Sequence, residues 1–149
     1  MYHVTARGVD GCAIARDRDD GRFILWLLGD AEARGFWVCD TFCVMPNHLH
    51  LLVETELERL AKGIHRLSGI HAQRFNRRHG RTGHLFGDRY AARVIENDRH
   101  LQAARAYVLA NPVRAGLCRS PEEWPWSGSR AGRNTRRQNT CSTRDPPIH

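Results

Sequence analysis

His48 and His50 stand one residue apart in the apolar segment 45–54, which reads MPNHLHLLVE. If this segment is a strand, side chains at positions i and i+2 point to the same face. The two imidazoles would then lie together, while Leu49 between them would point to the opposite face. Imidazole nitrogen is a frequent metal ligand. The pair therefore predicts half of a metal site, which needs further oxygen or nitrogen ligands from elsewhere in the chain.

A packing role is the alternative for this pair, because nine histidines occur in 149 residues. No HExxH segment is present, so a helical zinc motif is excluded. Several other histidines match no metal-binding pattern and are expected to be surface or packing residues: His3, His65, His71, His79, His84 and His100. The choice between a metal site and a packing role depends on whether other residues of the chain can complete the metal site.

Tyr107 and Asn111 lie four residues apart in the segment AYVLANP, so they share one face of a predicted helix. Pro112 is expected to end this helix directly after Asn111. On the residue types alone, the simplest interpretation is a half-buried tyrosine followed by an asparagine that caps the helix. The spacing by itself therefore does not assign chemistry to this pair.

Hydrophobic periodicity and turn residues predict the elements that must position these side chains. Strands are expected at 2–7, 36–44, 48–54 and 85–95, and helices from Asp17–Asp20 to Gly35, from Leu57 to Arg78 and from Asn97–Asp98 to Asn111. The order strand–helix–strand–strand–helix–strand is that of a ferredoxin-like split βαβ fold. We therefore predict an α+β protein with an antiparallel sheet, helices on one face, and Tyr107 on a C-terminal helix.

The composition favours a basic protein with a nucleic-acid partner. The net charge is +7, and Lys62 is the only lysine among the 23 basic residues. Arginine presents a planar set of donors that matches phosphate oxygens, although a GC-rich genome also raises arginine content. Five cysteines without a CxxC pair argue against a disulfide framework or a structural zinc site. No long apolar segment is present, so we expect a cytoplasmic, nucleoid-associated protein without membrane contact.

Several motifs together resemble the single-tyrosine HUH transposases and, within them, the REP-associated tyrosine transposases. They are YHVTARG at 2–8, MPNHLHLLVE at 45–54, GHLFGDRY at 83–90, YVLANPVRAGL at 107–117 and WPWS at 124–127. The resemblance extends to about Ala131, and the polar, arginine-rich remainder matches nothing in that family. We therefore expect a single-tyrosine HUH transposase domain at 1–127 and a basic, disordered tail at 128–149.

The resemblance implies a role for each of the four chemical positions. His48 and His50 match the HUH pair, Tyr107 the nucleophile, and Asn111 a third metal ligand. Because a carboxamide offers a neutral oxygen, the implied metal is Mg²⁺ or Mn²⁺. The implied activity is metal-dependent cleavage and strand transfer of single-stranded DNA through a 5′-phosphotyrosine intermediate.

The implied substrate is single-stranded DNA with hairpin, REP-like elements, bound by a monomer or a dimer. Basic side chains are expected to contact its phosphates: Arg7, Arg74, Arg77, Arg78, Arg81, Arg89 and Arg93. Two alternatives stay open. One is a catalytically idle nucleic-acid-binding protein that retains the fold, and the other is a zinc hydrolase that uses His48 and His50.

Overall fold

A five-stranded antiparallel sheet with strand order β4-β1-β3-β2-β5 organises the protein. The computed structural model describes residues 1–87 and 89–130. Its elements are β1 (Tyr2–Arg7), α1 (Arg18–Ala33), β2 (Val38–Val44), β3 (His48–Glu54), α2 (Leu57–His79), β4 (Ala91–Val94), α3 (Asp98–Arg114) and β5 (Ser127–Ser129). The first six strands and helices in this order confirm the predicted α+β, split βαβ fold. No helix within the described ranges is long and apolar enough to span a membrane.

The two faces of β3 carry different chemistry. Leu49, Leu51 and Val53 belong to the main core, which is formed with α1 and α2. The alternate positions His48, His50 and Leu52 point to the other face, where Leu52 packs with residues of α3. The helices of the βαβ repeat thus share one face as predicted, while α3 covers the face that bears the histidines.

Side-chain caps begin two of the helices where the sequence predicted them. Asp17 accepts a hydrogen bond from the backbone N–H of Asp20 at 2.9 Å, and Asn97 accepts one from the backbone N–H of His100 at 2.9 Å. Such caps satisfy amides that have no partner inside the helix. The cap at Asn97 defines the start of α3 and therefore where Tyr107 falls along it.

The expected end of α3 at Asn111 is wrong, because the helix continues through Pro112 to Arg114. Gly116 has φ of 72°, and its N–H donates to the carbonyl of Val113 while the N–H of Leu117 donates to that of Pro112. This is a Schellman motif, in which glycine adopts the left-handed conformation at little cost. Pro112 is buried inside the helix and lacks only its own backbone N–H donor, so it does not end α3. The helix ends at the turn formed by Gly116.

The predicted boundary at residue 127 is also crossed by regular structure. Strand β5 pairs with β2 through Thr41 and Ser129, Phe42 and Gly128, and Cys43 and Ser127. Trp124 helps to hold β5 against β2, since its indole N–H donates to the carbonyl of Val44 at 2.9 Å. The rest of the expected tail, residues 131–149, lies outside the described residues.

Candidate active site

The antiparallel pairing of β1 with β3 gathers polar side chains on the face under α3. Thr5 lies opposite His50 and Arg7 lies opposite His48, and cross-strand partners point to the same face. The rings of His48 and His50 have centroids 4.8 Å apart and an interplanar angle of 87°. The two histidines therefore lie side by side, as the period-2 pattern predicted.

His48 has one ring nitrogen engaged and one available. Its Nδ1–H donates to Oδ1 of Asn47 at 2.7 Å, which leaves the lone pair on Nε2. Burial lowers the pKa of His48, and the charge of Arg7 lowers it further. The imidazole is therefore neutral near pH 7, the protonation state that a metal ligand requires.

His50 is almost fully buried. Its Nδ1 lies 3.1 Å from Nε2 of His3 and 3.2 Å from Oγ1 of Thr5. Burial lowers the pKa of His50 to about 3, with smaller contributions from His48, His3 and Arg7. Because partners within the protein engage Nδ1 in both histidines, the Nε2 atoms are the natural positions for a ligand.

Helix α3 adds Tyr107 and Asn111 to these histidines. The Tyr107 ring lies 5.8 Å from that of His50 and 6.0 Å from that of His3, edge-on in both cases, and 43% of the residue is exposed. The side-chain amide of Asn111 donates to the carbonyl of Tyr107 at 2.8 Å, which leaves its Oδ1 available. Oδ1 can accept a hydrogen bond from protonated His50, which raises the pKa of His50 against the larger effect of burial.

All four residues predicted for the chemistry thus come together within one chain. We call the set His3, His48, His50, Tyr107 and Asn111 the histidine site. Its donors are two imidazole nitrogens and one amide oxygen, which suit a divalent cation with open positions for water or phosphate.

An ion pair and a small apolar contact hold α3 over the sheet. Arg105 donates through Nε and Nη2 to the two oxygens of Asp40 at 2.8 and 2.5 Å. Ala104 and Val108 pack with Leu52. The hydrogen bonds from Arg105 lower the pKa of Asp40 despite its burial. The position of Tyr107 relative to His50 therefore depends on this attachment.

His3 was expected to be a surface or packing residue, and its ring packs against His50 and Tyr107 within the histidine site. Its ring contacts His50 and faces Tyr107. Burial is the main cause that lowers its pKa, followed by Arg93 and His100. The alternation of β1 was a usable signal, since His3, Thr5 and Arg7 share one face of that strand. Its pairing with β3 was not readable from the sequence.

Three of the seven predicted DNA-binding arginines lie near the histidine site. Arg7 is paired with His48, and Arg93 on β4 is paired with His3. Arg89 and Arg7 line a groove of about 420 Å³ that also includes Thr5 and the backbone of Gly8. These three arginines are exposed, and none forms an ion pair with a described residue.

Of the other four predicted arginines, Arg74, Arg77 and Arg78 lie on α2, on the opposite face of the sheet, and Arg81 lies just beyond its C-terminal end. Arg78 contacts Asp17 at 3.0 Å and also Asp20, while Arg74 stacks over the ring of Phe23 at 4.4 Å. Arg81 is partly buried and donates to Asn76. Arg77 is the one exposed residue of these four. The structure therefore does not bring this group to the histidine site.

A second set of metal-type side chains joins α1 to α2. Ligand atoms of Asp17, Asp20 and His79 lie within 4.8 Å of one another. However, Arg78 contacts both carboxylates, and His79 Nε2 lies 2.8 Å from Asp20. We call Asp17, Asp20, Arg74, Arg78 and His79 the carboxylate network. Its negative charges are already matched by guanidinium groups, so it fits an internal ion-pair network better than a cation site.

The chain is similar to known transposases in its sequence pattern and in its fold. A family model described as "Transposase IS200 like" matches residues 21–111, more than half of the chain. A solved structure of a REP-associated tyrosine transposase bound to a REP hairpin superposes with a TM-score of 0.62 and 15% identity. That match covers 85% of this chain and 74% of the other chain. A search of curated proteins found no match.

Proposed function

Because the chain belongs to the IS200-like transposase family, we propose that it cleaves and rejoins single-stranded DNA with Tyr107 as the nucleophile. The observation that carries this proposal is the placement of Tyr107. Its partly exposed phenol stands edge-on to His50, and Asn111 is hydrogen-bonded to the same turn of α3. A tyrosine that only stabilised the core would be buried, whereas 43% of this residue is accessible.

The donor set supports a divalent cation at the histidine site. His48 and His50 would hold it through Nε2, and Asn111 would hold it through Oδ1. Mg²⁺ and Mn²⁺ both accept such nitrogen and oxygen ligands and retain water. When bound, the cation supplies Lewis-acid stabilisation of charge on a phosphate oxygen. Neutral imidazoles are available for this because burial keeps both histidines unprotonated near pH 7.

The protein's own residues account for the covalent step. The Tyr107 oxygen forms a bond to phosphorus while the bond from phosphorus to the 3′ oxygen breaks. The phenolic proton leaves to solvent, and the departing 3′ oxygen acquires a proton. The products are a 5′-phosphotyrosine and a free 3′-hydroxyl. Attack by another 3′-hydroxyl reverses the step, so rejoining needs no nucleotide cofactor.

The proposed substrate is single-stranded DNA next to a hairpin. This is supported by the fold shared with a transposase whose solved structure holds a REP hairpin. Arg7, Arg89 and Arg93 offer exposed guanidinium groups beside the histidine site for phosphate contacts. Tyr107 faces His50 of its own chain, which supports action in cis.

The test is covalent trapping with a labelled hairpin oligonucleotide in the presence of Mg²⁺ or Mn²⁺. The wild-type protein is expected to form an adduct that survives denaturing electrophoresis, and Tyr107→Phe is expected to form none. Tyr90→Phe is the matched control, because it removes a hydroxyl from a tyrosine outside the histidine site, and it should leave the adduct intact. An adduct that persists in Tyr107→Phe would refute the assignment.

The two alternatives predict different results in the same experiment. Tight hairpin binding without an adduct in the wild-type protein indicates an idle nucleic-acid-binding protein. Cleavage that needs Zn²⁺ and continues in Tyr107→Phe indicates a zinc hydrolase.

A further inference from the structure

The continuation of α3 through Pro112 brings one more cation to Tyr107. Arg114 lies seven residues after Tyr107 and three after Asn111, so the three side chains share one face of the helix. The Cζ atom of Arg114 lies 5.3 Å from the centre of the Tyr107 ring. Had the helix ended at Asn111, this guanidinium would have had no defined relation to the tyrosine.

Arg114 differs from the other arginine on this part of α3. Arg105 is held by both oxygens of Asp40. Arg114 is exposed and has no carboxylate partner among the described residues. A contact between a cation and an aromatic face is weak when it is exposed to water. The guanidinium is therefore free to exchange this contact for an anion that arrives at the tyrosine oxygen.

We propose that Arg114 binds the phosphate that Tyr107 attacks, and that it keeps this contact in the 5′-phosphotyrosine intermediate. The inference rests on the proposed role of Tyr107 and adds a residue to it. During attack, negative charge accumulates on the non-bridging phosphate oxygens as the new bond to the tyrosine oxygen forms and the bond to the 3′ oxygen breaks. The N–H donors of a guanidinium match such oxygens in geometry and charge.

Arg114 lies on the same helix as Tyr107, so its proposed role differs from that of the arginines on the strands. Arg7 and Arg93 belong to β1 and β4, whereas Arg114 belongs to the same helix as the nucleophile. Its distance to the tyrosine is set by two turns of one helix, so it stays beside the phosphate after the phosphate becomes attached to Tyr107. Arg114 is thus placed to act on the covalent intermediate as well as on the incoming strand.

The first measurement is the single-turnover rate of adduct formation with a saturating hairpin oligonucleotide. Arg114→Ala is expected to lower this rate about 100-fold, the effect of removing one preorganised donor from a developing oxyanion. Arg114→Lys should retain part of the rate, because it keeps the charge but loses the planar donor set. Arg99→Ala is the matched control: Arg99 is an exposed arginine on the same helix, about 22 Å away along its axis. The rate of adduct formation by Arg99→Ala should stay within about twofold of the wild-type rate.

The second measurement does not depend on catalysis. In a Tyr107→Phe background, affinities are compared for oligonucleotides that end in a 5′-phosphate or a 5′-hydroxyl. We expect about tenfold tighter binding of the 5′-phosphate, a preference that Arg114→Ala should remove and Arg99→Ala should leave. Equal rates for Arg114→Ala and Arg99→Ala, or an unchanged 5′-phosphate preference, would overturn the assignment. If the wild-type protein forms no adduct, the proposed function fails, and the 5′-phosphate preference alone still decides whether Arg114 is a phosphate-binding residue.

Discussion

The histidine site and the carboxylate network lie on opposite faces of one sheet and differ in how their charges are balanced. In the carboxylate network, Asp17 and Asp20 are matched within the protein by Arg78. Around the histidine site, the imidazoles are neutral and the exposed Arg7, Arg93 and Arg114 have no carboxylate partner among the described residues. A charged group that is paired internally stabilises the fold, while an unpaired one near an open site is available to a ligand.

Simple counts of charge would favour the carboxylate network over the histidine site. The carboxylate network holds the acidic oxygens that often bind cations, and α2 carries three of the seven arginines predicted to bind DNA, with Arg81 just beyond its end. The structure shows that Asp17 and Asp20 are already paired with Arg78, so these charges stabilise contacts within the protein. The histidine site has fewer charges, but Tyr107 is partly exposed and the nearby Arg7, Arg93 and Arg114 are exposed.

The largest expected effect comes from breaking the carboxylate network. Asp20→Asn removes a fully buried charge, so His79 loses its carboxylate partner and Arg78 keeps only Asp17 and Asp19. We expect the free energy of unfolding to fall by about 3 kcal/mol, at the low end for a broken buried pair because Arg78 is partly exposed. Urea denaturation measures this change.

Asp19→Asn is the control, because Asp19 is exposed and 3.7 Å from Arg78, and its effect should stay within about 0.5 kcal/mol. The comparison between the two regions would break if Mn²⁺ stabilised the wild-type protein and Asp20→Asn, rather than His48→Ala, removed that stabilisation.

A smaller effect is expected in the coupling between metal and DNA at the histidine site. Its predicted ligands carry no negative charge, and nearby arginines oppose a dication, so a DNA phosphate should favour metal binding. In Tyr107→Phe, which the proposed mechanism predicts to be unable to cleave, we expect Mn²⁺ affinity to rise about tenfold when the hairpin oligonucleotide is bound, a coupling of about 1.4 kcal/mol. Electron paramagnetic resonance of free Mn²⁺ measures the two affinities.

The same experiment on His48→Ala should show weak Mn²⁺ binding with or without DNA, while His65→Ala, on an exposed position of α2, should behave as the parent. Equal Mn²⁺ affinity of the parent protein with and without DNA would contradict a neutral ligand set that shares its metal with phosphate.

The smallest effect concerns the ion pair that attaches α3. Arg105 lowers the pKa of Asp40 below its usual value of 3.8. The stabilisation from ionised Asp40 is therefore complete well above pH 4 and is lost as the pH falls through the lowered pKa. We expect Asp40→Asn to cost about 1 kcal/mol at pH 7, since Arg105 is partly exposed, and to remove this part of the acid dependence.

Thermal unfolding between pH 5 and pH 2.5 measures the acid dependence, with Asp30→Asn as a control for a carboxylate that pairs with Arg34 and Arg66 at the surface of α1 and α2. An Asp40→Asn protein with the same pH profile as wild type would show that this pair does not hold α3 on the sheet.

Much of this arrangement follows from local sequence patterns. Strand alternation placed His48 and His50 on one face, Asp17 and Asn97 began their helices as caps, and Gly80 ended α2 with φ of 61°. These features depend on neighbours within a few residues, so the chain specifies them locally. Local patterns also misled at Pro112, because a proline lacks only one helical hydrogen bond and the Gly116 motif offered a better end.

What the sequence determined by itself is the set of candidate residues: a paired histidine motif, a tyrosine and an asparagine one helical turn apart, and an excess of arginine. What only the tertiary structure decided is which of them meet. The pairing of β1 with β3 brought in His3, the docking of α3 placed Tyr107 beside His50, and the packing of α1 on α2 paired Arg78 with Asp17 and Asp20. Contacts between segments far apart in the chain are set by burial and charge pairing of the whole fold, and no local pattern records them.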